Sequence, residues 1–164
     1  MLRFVNYNIV FQEVPGEVTL AINISNCPNH CKGCHSPYLQ EDSGEILNND
    51  ILSELLEKYG DAITCVCFMG GDASPLEVQQ SAIFLRNQTN GQIKIAWYSG
   101  KNSFPEACSL RNFDYIKLGA YVEQLGGLDS KMTNQRFYRI EDGKMIDITK
   151  LFSKTEPIIT EKTS

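Results

Sequence analysis

The stretch AITCVCFMGGDASPLE, residues 62–77, predicts a strand, a tight turn and the start of a helix. Residues 62–69 form a short apolar run without helical polarity, which is typical of a buried strand. Gly70-Gly71-Asp72-Ala73 supplies the turn. Ser74-Pro75-Leu76-Glu77 has the pattern of a capping box with proline at the first helical position. The stretch therefore predicts a buried strand followed directly by a helix.

Further elements are predicted on both sides of this unit. Strands are predicted over residues 4–13, 18–25, 93–98, 115–118, 137–141 and 144–148, and helices over 49–59, 74–87 and 105–110. Pro15-Gly16 and Asp142-Gly143 mark turns between neighbouring strands. Because strands alternate with helices, the pattern predicts βαβ units. A complete eight-unit barrel needs about 250 residues, so we expect an α/β fold with a mostly parallel sheet, a short partial (open) βα barrel.

Length and composition predict one ordinary globular domain. The chain has 164 residues and a net charge of −5 without a block of like charges. We expect a single domain over residues 1–152, a frayed polar tail over 153–164, and neither nucleic-acid nor membrane binding. No apolar run is long enough to span a bilayer, and the first residues lack a signal-peptide pattern, so the protein is expected in the cytoplasm. Six cysteines in a cytoplasmic chain indicate metal or redox chemistry rather than disulfides.

Three of the cysteines lie close together in the run CPNHCKGC, residues 27–34. This crowding, directly after a predicted strand, suits a cubane cluster in which each iron takes one thiolate. Three thiolates leave one iron without a protein ligand, and an open position on a metal is where a substrate can bind. We therefore predict Cys27, Cys31 and Cys34 as the metal ligands.

A zinc site is the alternative from a different class, and it would make the protein a non-enzymatic interaction module. Structural zinc normally takes four protein ligands from two separated pairs. His35 directly follows Cys34, a spacing at which both side chains bind one ion with difficulty. Cys65 and Cys67 share a strand face and could complete a site, but we expect them to pack as small hydrophobic residues. Cys108 is interpreted as structural.

The C-x3-C-x2-C spacing resembles the signature of the radical AdoMet superfamily. Four runs extend the resemblance to the activating proteins of the anaerobic ribonucleoside-triphosphate reductase: CPNHCKGCHSP at 27–37, GGD at 70–72, WYSG at 97–100 and TNQR at 133–136. The short length of the chain is also similar to that family. The match covers most of the chain.

The resemblance implies that the three cysteines bind a 4Fe-4S cluster and that S-adenosyl-L-methionine (AdoMet) chelates the fourth iron. In that family, reductive cleavage of AdoMet gives a 5′-deoxyadenosyl radical, which takes hydrogen from a glycine of the reductase. A low-potential donor such as a flavodoxin would supply the electron. Because the cofactor carries this chemistry, no catalytic triad is expected. The alternative enzyme acts on another glycyl-radical enzyme or on a small molecule such as a deazapurine precursor.

Several AdoMet contacts also follow from the resemblance. Gly70, Gly71 and Asp72 correspond to the turn that contacts the amino group of AdoMet, and Ser99 corresponds to a ribose or carboxylate contact. Gly33 occupies the position before the third cysteine, which is aromatic in much of the superfamily and small in this family. We interpret Gly33 as a further cofactor contact.

Two other polar groups are ambiguous in the sequence. Asp114 and Lys117 are three residues apart on a predicted strand, so they point to opposite faces and at most one lines the pocket. Asn134-Gln135-Arg136 resembles a run of the family that lies at the cofactor or at the partner interface, and a solvated loop is the alternative.

Overall fold

The computed structural model describes residues 1–153, which form one eight-stranded sheet with two α-helices. The strands are β1 Arg3–Val10, β2 Thr19–Ile24, β3 Glu45–Ile46, β4 Cys65–Met69, β5 Lys94–Tyr98, β6 Tyr115–Leu118, β7 Arg136–Glu141 and β8 Lys144–Asp147. The helices are α1 Asn49–Tyr59 and α2 Pro75–Thr89, with short 3-10 segments at Pro37–Gln40, Leu110–Asn112 and Thr149–Phe152. The predicted tail lies outside the described residues except for Ser153.

The predicted mostly parallel, partial βα barrel is wrong. The strand order is β3-β1-β2-β4-β5-β6-β7-β8, and within residues 1–153 only the pairs β2–β4, β4–β5 and β5–β6 are parallel. The pairs β1–β2, β1–β3, β6–β7 and β7–β8 are antiparallel. The fold is therefore a mixed sheet whose parallel centre has antiparallel strands on both sides.

Connection length explains this difference. A parallel pair needs a crossover of a dozen or more residues, whereas an antiparallel pair needs only a short turn. The crossovers that contain α1 and α2 join β2 to β4 and β4 to β5. The predicted turns at Pro15-Gly16 and Asp142-Gly143 instead join antiparallel neighbours, β1 to β2 and β7 to β8. The alternation of strand and helix holds only in the middle of the chain.

The two helices begin close to where the sequence predicts them. Asn48 caps α1, because its side chain accepts a hydrogen bond from the Ile51 amide at 3.0 Å. The capping box predicted for α2 is wrong, since the Ser74 side chain makes no capping bond. Glu77 instead accepts from the Leu2 amide at 3.0 Å and pairs with the amino group of Met1. The helix predicted over residues 105–110 is also wrong, and only a 3-10 turn forms there, over Leu110–Asn112.

The central strands are buried on both faces. Isoleucine and tryptophan side chains of β5 pack into the larger cluster beneath the helices, and Ala96 packs into a second cluster with Cys65 and Cys67. Both thiols are fully buried, as predicted, and burial raises their pKa. Within residues 1–153, no helix combines the length and the apolar character needed to cross a bilayer.

Trp97 connects the sheet to the turn after β4. Its side chain is fully buried, and its indole N–H donates to the Gly70 carbonyl at 2.8 Å. Gly70 has a φ of +113°, in the range that favours glycine. The buried indole therefore holds the turn that carries Asp72.

Trp97→Phe should lower the free energy of unfolding by about 1–3 kcal/mol, because it leaves the Gly70 carbonyl without its donor. Urea denaturation followed by far-UV circular dichroism measures this change, since the variant lacks the tryptophan fluorophore. An unchanged transition midpoint would show that this hydrogen bond does not stabilise the turn.

Candidate metal centre

The three clustered cysteines lie on a loop that leaves the sheet directly after β2. Backbone hydrogen bonds close the base of this loop, from the Asn26 amide to the Glu41 carbonyl at 3.0 Å and from the Cys27 amide to the Leu39 carbonyl at 2.9 Å. Asn26 adopts a φ of +61°, which turns the chain out of the strand. The loop is thus fixed at both ends while its cysteines remain half-buried and in no disulfide.

The loop covers a cavity of about 160 Å³ at the carboxyl ends of the parallel strands. All three clustered cysteines line it, together with Gly70 and Asp72 after β4, Gly100 after β5 and Lys117 on β6. Larger surface hollows, of about 770 Å³, 630 Å³ and 590 Å³, contain no cysteine. The structure therefore brings together five predicted site residues: Cys27, Cys31, Cys34, Gly70 and Asp72.

The donor set fits an iron–sulfur cluster. In the described part of the chain, no three histidine, cysteine, aspartate or glutamate side chains converge on a point where they could hold one metal ion. A cubane does not require such convergence, because each of its irons takes one thiolate. Three half-buried thiols around one cavity meet that requirement, and the other buried thiols, Cys65 and Cys67, lie outside the cavity lining.

Asp72 joins the cysteine loop to two strand ends. Its carboxylate accepts hydrogen bonds from the Ser99 hydroxyl at 2.6 Å and from the Gly100 amide at 2.8 Å, both directly after β5. It also accepts from the Asn29 side-chain amide at 2.7 Å, within the cysteine loop. A carboxylate offers about four acceptor positions, and these three bonds occupy three of them.

Lys117 contributes a buried positive charge to the cavity. Its ammonium group donates to the Ser99 carbonyl at 2.9 Å and to the Gly119 carbonyl at 3.1 Å. Burial lowers the pKa of Lys117 to about 8, and the nearby Asp72 carboxylate opposes that shift. Asp114, which directly precedes β6, pairs instead with Arg86 at 3.1 Å and does not line the cavity. The prediction that at most one of Asp114 and Lys117 lines the pocket is therefore confirmed.

Comparison with known proteins identifies the class of this centre. The family described as 4Fe-4S single cluster domain matches residues 14–111, which is more than half of the chain and includes all three clustered cysteines. The chain belongs to this family. No curated protein sequence matches the chain significantly. Membership in the 4Fe-4S single cluster domain family therefore favours the cluster over the zinc alternative.

Three residues predicted to contact a cofactor in this 4Fe-4S domain are not among those that line the cavity. Gly33 has a φ of +74°, and a Cβ there would lie 2.7 Å from the Glu123 carboxylate. A Cβ at Gly71 would lie 2.5 Å from Val78. Ser99 is 1% exposed and directs its hydroxyl to Asp72. The direct roles of Gly33, Gly71 and Ser99 in AdoMet binding stay predictions.

The polar run Asn134-Gln135-Arg136 is divided between two places. Gln135 is buried and lines the cavity beneath the cysteine loop. Asn134 and Arg136 line a separate hollow beside Leu118. The alternation of side chains along an extended segment explains this division.

Asn29 and Tyr121 line the cavity but are not predicted from the sequence, and the sequence leaves open which of Asp114 and Lys117 does so. A lysine within the apolar run Tyr115–Leu118 is a recognisable signal, because buried ammonium groups are rare without a partner. Asn29 and Tyr121 carry no comparable signal. The Tyr121 ring lies 4.9 Å from the His35 ring, so it packs beside the third cysteine of the 4Fe-4S domain.

Cys31→Ala should abolish assembly of the 4Fe-4S cluster, because three thiolates leave no spare ligand. Iron and acid-labile sulfide are measured after anaerobic reconstitution. Cys108→Ala is the matched control, since that thiol lies outside the cavity. Full iron content in Cys31→Ala would show that the ligand set is wrong.

Proposed function

We propose that this iron–sulfur protein is a radical AdoMet enzyme that activates the anaerobic ribonucleoside-triphosphate reductase. One observation carries the proposal: the three cysteines share a cavity with the carboxylate of Asp72 and the ammonium of Lys117. These two charges complement the ammonium and carboxylate groups of an amino acid such as the methionine part of AdoMet. The cavity thus combines a cluster site with a site for a zwitterion.

Each side chain has a separate task in this proposal. Asp72 keeps one acceptor position for the amino group of AdoMet. Lys117 is the one cationic side chain among the described cavity residues, and its two bonds to backbone carbonyls hold the ammonium in place for the carboxylate. Charge-assisted hydrogen bonds of this kind are about twice as strong as neutral ones. The pair therefore orients AdoMet at both ends of its amino acid group.

The cluster, when bound, would supply the electron that cleaves a carbon–sulfur bond of AdoMet, and the resulting radical would take a hydrogen atom from a glycine Cα. The protein contributes binding, orientation and exclusion of water. Leu39 and Ile24 give the cavity apolar walls. A dry wall prevents a reactive radical from being lost to side reactions.

The exposure of the cysteine loop supports a protein as the substrate. His30, His35, Pro37 and Tyr38 are exposed on the same segment, and Tyr38 is 47% exposed. Aromatic side chains are enriched where proteins contact each other. We propose that the glycine-bearing loop of the reductase approaches from this side, and that a flavodoxin or a similar low-potential donor reduces the cluster.

Lys117→Met should weaken AdoMet binding by roughly ten- to a hundredfold, the equivalent of one lost charge-assisted bond of about 1.5–3 kcal/mol. Anaerobic isothermal titration calorimetry of the reconstituted protein gives the dissociation constant. Lys101→Met is the control, because Lys101 is exposed and does not line the cavity. Equal affinities for the two variants, with the cluster intact in both, would contradict the assignment of Lys117.

The substrate is tested with reconstituted protein, AdoMet and dithionite under anaerobic conditions. Adding the reductase should increase formation of 5′-deoxyadenosine and produce a glycyl radical signal in the EPR spectrum. If a deazapurine precursor stimulates cleavage equally well and no reductase radical forms, the protein acts on a small molecule. If no AdoMet cleavage occurs with an intact cluster, the radical AdoMet proposal is wrong.

A further inference from the structure

Asn29 lies between the first two cysteines and directs its side-chain amide toward the sheet. Its Nδ2 atom lies 3.6 Å from the Sγ atom of Cys27 and 2.7 Å from a carboxylate oxygen of Asp72. A side-chain amide carries two N–H donors. One donor can therefore serve the sulfur of a cluster ligand while the other holds the amide in place.

The sheet sets the position of the Asp72 carboxylate, which accepts the hydrogen bond from Asn29. The Asp72 carboxylate is held by Ser99 and Gly100 at the end of β5, through bonds of 2.6 Å and 2.8 Å. The Asn29 amide therefore binds a group whose place does not depend on the cysteine loop. This arrangement fixes the direction of the second N–H toward Cys27.

Gly100 provides an independent observation on the same amide. A Cβ at this position would lie 2.5 Å from Asn29 Nδ2 and 3.2 Å from Asn29 Cγ. Gly100 does not adopt a positive φ, so its backbone conformation does not itself require glycine. A side chain at position 100 would therefore collide with the Asn29 amide, and glycine leaves room for it.

We infer that Asn29 is a positioning residue for the cluster, held by Asp72, and that its N–H···S bond to Cys27 raises the reduction potential of the cluster. A hydrogen bond to a ligand sulfur stabilises the more negative, reduced state more than the oxidised state. The inference goes beyond the proposed function. It depends on the 4Fe-4S cluster alone, and it stands whether or not AdoMet is the substrate.

The first test is a redox titration of the reconstituted protein, followed by the EPR signal of the reduced cluster. Asn29→Ala should lower the ratio of reduced to oxidised cluster about tenfold at a given potential, equivalent to about 59 mV for one electron. Gln40→Ala is the matched control. Gln40 also lines the cavity, and its side-chain oxygen lies 2.9 Å from the Nδ1 atom of His30. The control therefore removes an amide from the same cavity without removing a hydrogen bond to sulfur.

A potential for Asn29→Ala equal to that of the wild type would overturn the inference. An equal decrease in Asn29→Ala and Gln40→Ala would also overturn it, because a general loosening of the loop would then explain both changes.

The second test uses Gly100→Ala, whose added methyl group should displace the Asn29 amide without changing any charge. Its potential should decrease as in Asn29→Ala, and the double variant should show no further decrease, because both changes remove the same bond. Additive shifts would show that Gly100 acts independently of Asn29, which contradicts the inference. Both variants leave Asp72 in place, so the charge near the cluster stays constant.

Discussion

The hydrogen bonds of the Asp72 carboxylate are the interaction on which the arrangement of the site depends. They join the turn after β4, the end of β5 and the cysteine loop after β2. The three segments are neighbours because β2, β4 and β5 are consecutive parallel strands, whose carboxyl ends meet at one edge. The sheet supplies the edge, and one acidic side chain fixes the loop to it.

The parallel centre of the fold could be predicted from local pattern. The βα unit at residues 62–77 and the helix at 49–59 carry turn, capping and periodicity signals close to their observed bounds. The mixed sheet could not be predicted in the same way, because strand direction depends on which strands become neighbours. The turns at Pro15-Gly16 and Asp142-Gly143 are the local signals of the antiparallel pairs on the two sides of the parallel centre.

The candidate site also has one part that could be predicted from the sequence and one part that could not. The cysteine spacing is a local signal, and the family match bears out the iron–sulfur class that it predicts. The environment of the cysteines is formed by residues distant in sequence. Asn29 meets Asp72 across 43 positions, and Lys117 reaches the cavity only because β6 pairs with β5. Such contacts follow from sheet order, which a single sequence does not reveal.

The walls of the cavity come from segments that are far apart in the sequence, so they are synthesised at different times. The cysteines lie within residues 27–34, whereas Lys117, Tyr121 and Gln135 belong to the last third of the chain. A ribosome therefore releases the three thiols well before the opposite wall exists, and contacts of high sequence separation form late in folding. During this interval the three thiols lack the wall that Lys117, Tyr121 and Gln135 form. A cavity with all of these walls therefore exists only after residues 117–135 have been synthesised and have folded onto the sheet.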